Sequence, residues 1–432
     1  MISANRYGFL PGNDAFQNAL ALQAAVDCGG LVLVEAPGIY DLSETIEIGS
    51  NTELRFAAGV QIRRQPSKTG RNGNAFLNKG ALTHTYDTNI SLIGLHFDCN
   101  GVESADLDTD SRYVGLRAQV GMIYVKDLVV EDFECVGLLA KDYAVQISAF
   151  ERIRLENLYI SGDKDGVHLG WGKDFVIRNG RFRTFDDPIA LNAFDYARSN
   201  THVGWIENGL IEDCRDLAAE ATTGHFCRIL GGAWCDWSEG MQVQNSDTVC
   251  FGGRVYRAVL RPDSRTYPST TPPSHDFGLA VCDGIPWVCV RDEAVYDCGC
   301  RNITLRNIRL QKKRSDRAIS VALNMDAYAR SYVQNCKPVP MEHINMENIS
   351  IEAEIPELFR ANYPIKTVRI ADTDLKGTKI CFEAVDLEGL VYPTAELTLE
   401  NVTAKQGRIL ADDRYPVQVT TVSGVIGSRT VL

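Results

Sequence analysis

The chain has 432 residues, 45% of them hydrophobic and 23% charged, the balance of an ordinary globular protein with enough length for a large core. Its 56 acidic residues against 44 basic ones give a formal charge of −12, which makes a nucleic-acid backbone a poor partner. No run of 18 apolar residues is present, so no membrane-spanning segment and no membrane partner is expected.

The first residues, Met1 to Tyr7, lack a basic segment followed by an apolar stretch, and no signal peptide is read there. Cytoplasm, a phage particle, or export with the signal already trimmed all stay open as locations. Residues 13–28 carry Phe16, Ala19, Leu20, Leu22, Ala24, Ala25 and Val26 at helical spacing and end at Gly29-Gly30, which predicts one amphipathic helix. A strand, Leu31-Val32-Leu33-Val34, and a Pro37-Gly38 turn follow. Such a helix suits the open end of a stack of strands, where edges would otherwise be exposed.

From about residue 44 a short unit recurs, an alternating apolar strand that ends on Asn or Asp. Copies are Leu128–Asp132, Ile153–Asn157, Phe175–Asn179, Trp205–Asn208, Ile303–Asn307, Ile344–Asn348 and Leu397–Asn401. The terminal residues 132, 157, 179 and 208 are spaced by 25, 22 and 29, a solenoid-like period. Alternation inside each copy means strand, and no copy has room for a helix. The expected fold is therefore all-β, a parallel β-helix in which each coil adds one rung, with stacked Asn side chains bonding along the axis. Residues 102–120 are polar and Asp-rich and read as a loop.

The rhythm breaks between 235 and 297, where Trp237, Tyr256, Tyr267 and Trp287 gather around Gly252-Gly253, the turn of an expected hairpin. This predicts three parts: an N-terminal portion of the β-helix with its cap over 1–234, an inserted β-rich module over 235–297, and the rest of the β-helix over 298–432. Of thirteen cysteines, most sit in strand copies and read as small buried hydrophobes. Six of them, Cys235, Cys250, Cys282, Cys289, Cys298 and Cys300, crowd near the insertion and would form local disulfides if the protein is exported. None has the paired spacing of a zinc site, so no metal and no cofactor is expected.

Asp165 lies in Asp163-Lys164-Asp165-Gly166, and Asp186-Asp187 follows 21 and 22 residues later. That gap is nearly one coil, so the three carboxylates should meet on adjacent rungs, about 4.8 Å apart. Crowded carboxylates raise one another's pKa, which suits a general acid beside an ionised partner; taken singly, Asp-Gly and Asp-Asp are also common turn chemistry or calcium ligands.

These motifs, with the N-terminal helix and the coil repeat, resemble the polygalacturonase-like glycoside hydrolases of family 28 in the right-handed, pectate-lyase-like β-helix superfamily. The family carries Asn-Thr-Asp-Gly, Gly-Asp-Asp, Gly-His-Gly and Arg-Ile-Lys in that order. Here Asp163-Lys164-Asp165-Gly166, Phe185-Asp186-Asp187 and Gly224-His225-Phe226 stand at the first three, and Ser320-Val321-Ala322 replaces the fourth. The resemblance implies an inverting hydrolysis of a carbohydrate substrate, with Asp186 as the acid, Asp165 and Asp187 holding the attacking water, and His225 tuning the acid or touching the sugar. Asp163, Lys164 and Arg228 are the expected substrate-binding residues, and Arg228 or Arg317 would stand in for the missing basic pair. The insertion resembles small chitin-binding-type carbohydrate-binding modules over Gly240–Tyr256 and Asp283–Trp287. The alternatives are a phage tailspike-type protein that binds or depolymerises glycans as a homo-oligomer, and a polysaccharide lyase.

Overall fold

The computed structural model describes residues 1–70, 72–103, 114–325, 330, 332–333 and 335–431, with the side chains of 405–407 and 425–431 outside the description. Most of the loop expected over 102–120 thus lies outside the described residues. From Ala118 the chain is already strand.

The fold is a right-handed parallel β-helix. Its main sheet joins strands from Ile2–Ser3 to Val417–Val431, and every pairing within it is parallel, for example Ala118–Leu138 on Tyr143–Gly162, and that strand on Gly172–Thr184. Inward positions stack into apolar columns one coil above another. Leu128, Ile153, Phe175, Gly209, Ile303 and Ile344 form one; Val130, Leu155, Ile177, Ile211, Leu305 and Met346 form the next. The side chains of all but Gly209 are buried, each worth about 1.5–3 kcal/mol relative to exposure, and Gly209 makes room for the Phe175 ring below it.

The helix Ala15–Val26 closes the N-terminal end. Asp14 caps it by accepting from the backbone N–H groups of Phe16 (3.0 Å) and Gln17 (3.2 Å). Ala19, Leu22, Ala25 and Val26 press onto the first coil, and Asn18 donates to the Asp41 carbonyl at 3.1 Å. Among the described residues no helix is long and apolar enough to cross a membrane.

The terminal Asn and Asp residues form two ladders. One runs through Asp132, Asn157 and Asn179, with Asn157 donating to Asp132 (2.9 Å) and Asn179 to Asn157 (2.8 Å). Asn208 is not its next member. It donates to Asp174 (2.8 Å) and accepts from Asn302 (3.0 Å) on the second ladder, five residues back along each coil. Asp213 takes the expected place and accepts from Asn307 at 2.9 Å. The coil there is longer than the repeat suggested, because Lys173 pairs with Glu207 and Arg178 with Glu212. Each ladder Asn turns the chain at positive φ, such as 57° at Asn157 and 54° at Asn179, a conformation its short amide tolerates.

Between Leu230 and Cys300 the chain leaves the coil and builds a separate five-stranded sheet from Cys235–Asp236, Thr248–Phe251, Arg254–Ala258, Leu279–Cys282 and Ile285–Arg291. Thr248–Phe251 and Arg254–Ala258 are the expected hairpin, with Gly252 and Gly253 both at positive φ. Val243, Val249, Tyr256, Ala258, Ile285 and Trp287 form its own core. Tyr256 and Trp287, which carried the likeness to a carbohydrate-binding module, are therefore enclosed and present no face to a sugar. All thirteen cysteines are free thiols, so the local disulfides expected of an exported chain are absent; nine of the thirteen are buried, as small hydrophobes would be.

Candidate active site

Two short turns place the acids. The strands before them pair Gly162 with Thr184, and those after them pair Val167 with Ile189. The offset is 22 on both sides, so Lys164 faces Asp186 and Asp165 faces Asp187 on adjacent coils. One further coil puts His225 beside Asp187, because Ile189 pairs with Cys227. Carboxylate oxygens of Asp165, Asp186 and Asp187 all lie within 4.8 Å of one another. The convergence expected of the three aspartates is present.

Their surroundings differ. Asp165 and Asp187 have no exposed surface, whereas Asp186 is partly open. Arg228 sets its Nε 2.9 Å from Asp187 Oδ2 and reaches Asp195 Oδ2 at 3.0 Å. The His225 backbone N–H donates to Asp187 Oδ1 at 2.6 Å, with the ring Nδ1 3.2 Å from the same oxygen. Gly224 permits this approach. A Cβ there would stand 2.5 Å from the Asp186 carbonyl carbon, and its φ of 70° suits glycine. Lys164 is ion-paired with Asp186 and lies 3.6 Å from Asp165.

These contacts split the protonation of the acids. Burial drives Asp186 upward, and the charges of Asp187 and Asp165 add to it against the Lys164 ammonium, so this carboxyl titrates above its ordinary value. Burial also opposes charge on Asp165, but Lys164 and the bond to His168 prevail and lower it. At Asp187 burial is outweighed by the Arg228 guanidinium and the His225 contacts, which hold it well below the usual carboxylate range. One acid shifted up beside two shifted down is the division that acid–base chemistry needs. The same three residues are the acidic group among the described residues compact enough to hold a cation. Lys164 and Arg228 already supply positive charge to them.

The other expected binding residues fare differently. Asp163 is exposed on the outer side of its turn. Arg317 stands one coil beyond His225 but bonds to Asp316 at 2.7 Å. Ser320 pairs with Arg228, and the next residue up that column, Arg360, is held by Glu357 and by Glu383 at 3.1 Å.

Several site residues were not anticipated. His168 sets Nδ1 3.2 Å from Asp165 Oδ2 and stacks on Tyr143, with centroids 4.2 Å apart. Its flanks Val167 and Leu169 point inward, and that alternation alone was a signal that His168 faces the acids' side. Asp195 accepts from Asn192 and Ser199, each at 2.8 Å, and carries the far end of Arg228. Lys312, fully buried, donates to the carbonyls of Thr184 (2.9 Å), Phe185 (2.9 Å) and Thr223 (2.8 Å). It ties the Asp186-Asp187 turn to the loop that delivers His225. Burial, helped by the nearby Arg314, brings its ammonium down to about 8. Arg314 closes the floor with a buried ion pair to Asp216 at 2.6 Å.

No protein-family profile matches the chain, and no curated protein matches its sequence. Solved structures do. A surface adhesin of Streptococcus pneumoniae, PfbA, is 12% identical over 100% of this chain and 93% of that one, with a TM-score of 0.48. The endo-xylogalacturonan hydrolase of Aspergillus tubingensis is 10% identical over 96% and 99%, also at 0.48. The polygalacturonase of Erwinia carotovora ssp. carotovora is 12% identical over 94% and 93%, at 0.45. At these identities the likeness is one of coil architecture, and it extends to an adhesin as readily as to hydrolases.

Proposed function

We propose that the chain hydrolyses a glycosidic bond of a poly- or oligosaccharide at the Asp165–Asp186–Asp187 cluster. The observation that carries this is the meeting of three carboxylates within 4.8 Å, with one pKa shifted up and two shifted down. Asp186, the partly open acid with the raised pKa, is the proton donor to the leaving oxygen. Asp165 and Asp187, the two acids shifted down, hold the attacking water, and His225 fixes Asp187 in place. One oxygen of each acid lies within 4.8 Å of the others, and retaining and inverting pairs differ in carboxyl separation and in product anomer. Inversion, which the family resemblance implies, is thus a matter for measurement of the product anomer.

A glycan-binding β-helix without turnover is the second reading. Lys164 favours it, since an ammonium paired with Asp186 resists protonation of that acid. A lyase has less support, because it needs an unprotonated base. The acids around Lys164 and Arg228 raise both, so each stays a cation.

The test is Asp186→Asn. Wild type is screened on pectic, rhamnogalacturonan and other glycan oligosaccharides, with anomeric proton NMR as readout. Hydrolysis by wild type and a loss of about 10²–10⁴-fold in the variant, with binding retained, is expected of a general acid. A wild type that cuts no glycan, or a variant that keeps its rate, overturns the hydrolase reading.

A further inference from the structure

An aromatic column climbs the corner of the β-helix that follows the Val167–Leu169 strand. Asp87, Phe150, Gly172 and Ile206 occupy one position on successive coils, together with Val125. The residues just before them are Tyr86, Tyr124, Ala149, Trp171 and Trp205. Four of five are aromatic, and the ring of His202 joins them. That ring lies 5.0 Å from Tyr124 and 6.3 Å from Trp171. Burial brings His202 down to about 3, so it stays an uncharged face.

The inserted module stands against this column without filling the space between. His84 meets Phe277 of the module edge-on at 3.7 Å, and a cleft of about 370 Å³ remains, lined by Thr83, Tyr124, His202, Phe277, Arg291 and Asp292 among others. That volume is within the range of a small-molecule site, and the lining sets the rings of His84, Tyr124, His202 and Phe277 among polar groups that include Asp276. Phe277, which lines the cleft, is 38% exposed, and Tyr86, whose ring packs edge-on against Tyr124 at 5.6 Å, is 41% exposed, so two ring faces beside the cleft are open to a ligand. His84 and Tyr124 also sit at φ of 55° and 56°, which is uncommon for a ring as large as that of Tyr124.

We propose that this cleft is a second glycan-binding site, which takes a neutral sugar segment on Tyr86, Tyr124 and Phe277. Rings offer flat apolar faces to the C–H side of a pyranose, while Thr83, Arg291 and Asp292 can bond its hydroxyls. Charge excludes an acidic sugar as the preferred guest. Lys126, Arg291 and Arg301 each lie over a ring of the column, but Glu151 (3.1 Å), Glu293 (2.9 Å) and Glu207 (2.9 Å) neutralise them. Trp171 and Asp165 flank the Val167–Leu169 strand, six residues and at most about 20 Å apart, and Tyr124 lies two coils, about 10 Å, further along the column. One glycan chain can reach both. The site does not depend on whether the acids cut anything.

The test is affinity electrophoresis of the full chain in gels that contain xyloglucan, mixed-linkage β-glucan, galactan or polygalacturonate. Wild type, Asp186→Asn and the double variant Tyr86→Ala/Phe277→Ala are compared, with folding checked by circular dichroism; both alanine sites are on the surface. Retardation by at least one neutral polymer, unchanged in Asp186→Asn and weakened tenfold or more in the double variant, is expected. No retardation by a neutral polymer, equal retardation of the double variant, loss in Asp186→Asn, or preference for polygalacturonate overturns the proposal. Should binding hold while wild type hydrolyses nothing, the acid cluster alone has been misread.

Discussion

Arg228→Leu isolates the electrostatics of the acid cluster. Arg228 is the cation shared by Asp187 and Asp195, neither of which has appreciable exposed surface. Removal of one partner from a buried ion pair costs about 3–5 kcal/mol, because the remaining charge is left uncompensated. Asp187 would keep the His225 N–H, and Asp195 its bonds from Asn192, Ser199 and the Tyr196 backbone. Those contacts place the loss near the lower end, about 3–4 kcal/mol at pH 7.5. The pH dependence follows from the direction of the shift. In wild type Asp187 is depressed in the folded state, so its contribution is full above the unfolded value of about 3.9 and fades as pH falls through the folded one. In the variant burial acts without Arg228 and pushes Asp187 up. It then takes its proton at a higher pH than in wild type, and the gap between the two proteins narrows as pH falls. Urea unfolding followed by tryptophan fluorescence at pH 7.5 and pH 4 measures both numbers. A difference below about 1 kcal/mol at pH 7.5, or one that does not change with pH, would refute the assignment of Arg228 as the counter-charge.

Three further outcomes are expected. His202, depressed to about 3 in the folded state, binds its proton only on unfolding, so stability is full above about pH 6.5 and falls below it, by about 2.5 kcal/mol between pH 7 and 4.5; His202→Gln should lack this component, and equal pH slopes for the two proteins would contradict it. Lys312→Met strips the donor from three carbonyls at about 1–3 kcal/mol for each one left unsatisfied. Hydrogen exchange by mass spectrometry should show the 180–190 peptide opening faster, and unchanged protection there would remove Lys312 from its anchoring role. Asn179→Ala loses a ladder bond and leaves a Cβ without compensation at φ 54°, about 2 kcal/mol together; Asn179→Gly, free of the second penalty, should recover part of it in the same unfolding assay.

The coil and the acid cluster were legible because both rest on short-range regularities. Alternation marks a strand, a terminal Asn marks its turn, and a 22-residue spacing brings Asp165 to Asp187 without knowledge of the rest of the chain. The same offset also pairs Lys164 with Asp186, and it could have been read by simple addition. What the residues do not announce is a change in coil length. Asn208 ends a strand copy as Asn179 does, yet a longer coil shifts it onto the other ladder, and only backbone pairing reveals that. Lys312 and Asp195 were hidden for a related reason, since their partners lie on other coils or beyond an irregular turn. Aromatic residues in the insertion were equally ambiguous, for a tryptophan that packs a core and one that stacks on sugar have the same letter. Trp287 turned out to be the former.

The ladder bonds across the insertion have a consequence for how this architecture accommodates new parts. Asn302 donates to Asn208 and Arg301 to Glu207 across 94 residues, at lengths of 3.0 and 2.9 Å, no worse than the bonds between coils of 22. Loop-closure entropy grows only with the logarithm of loop length, so a 94-residue coil closes at about 1.3 kcal/mol more than a 22-residue one. Two rungs' worth of side-chain bonds are enough to offset that. A rung therefore serves as an attachment point at which a module of some 60 residues with a core of its own can be hung almost without penalty, and the aromatic cleft exists because the module was hung at this corner.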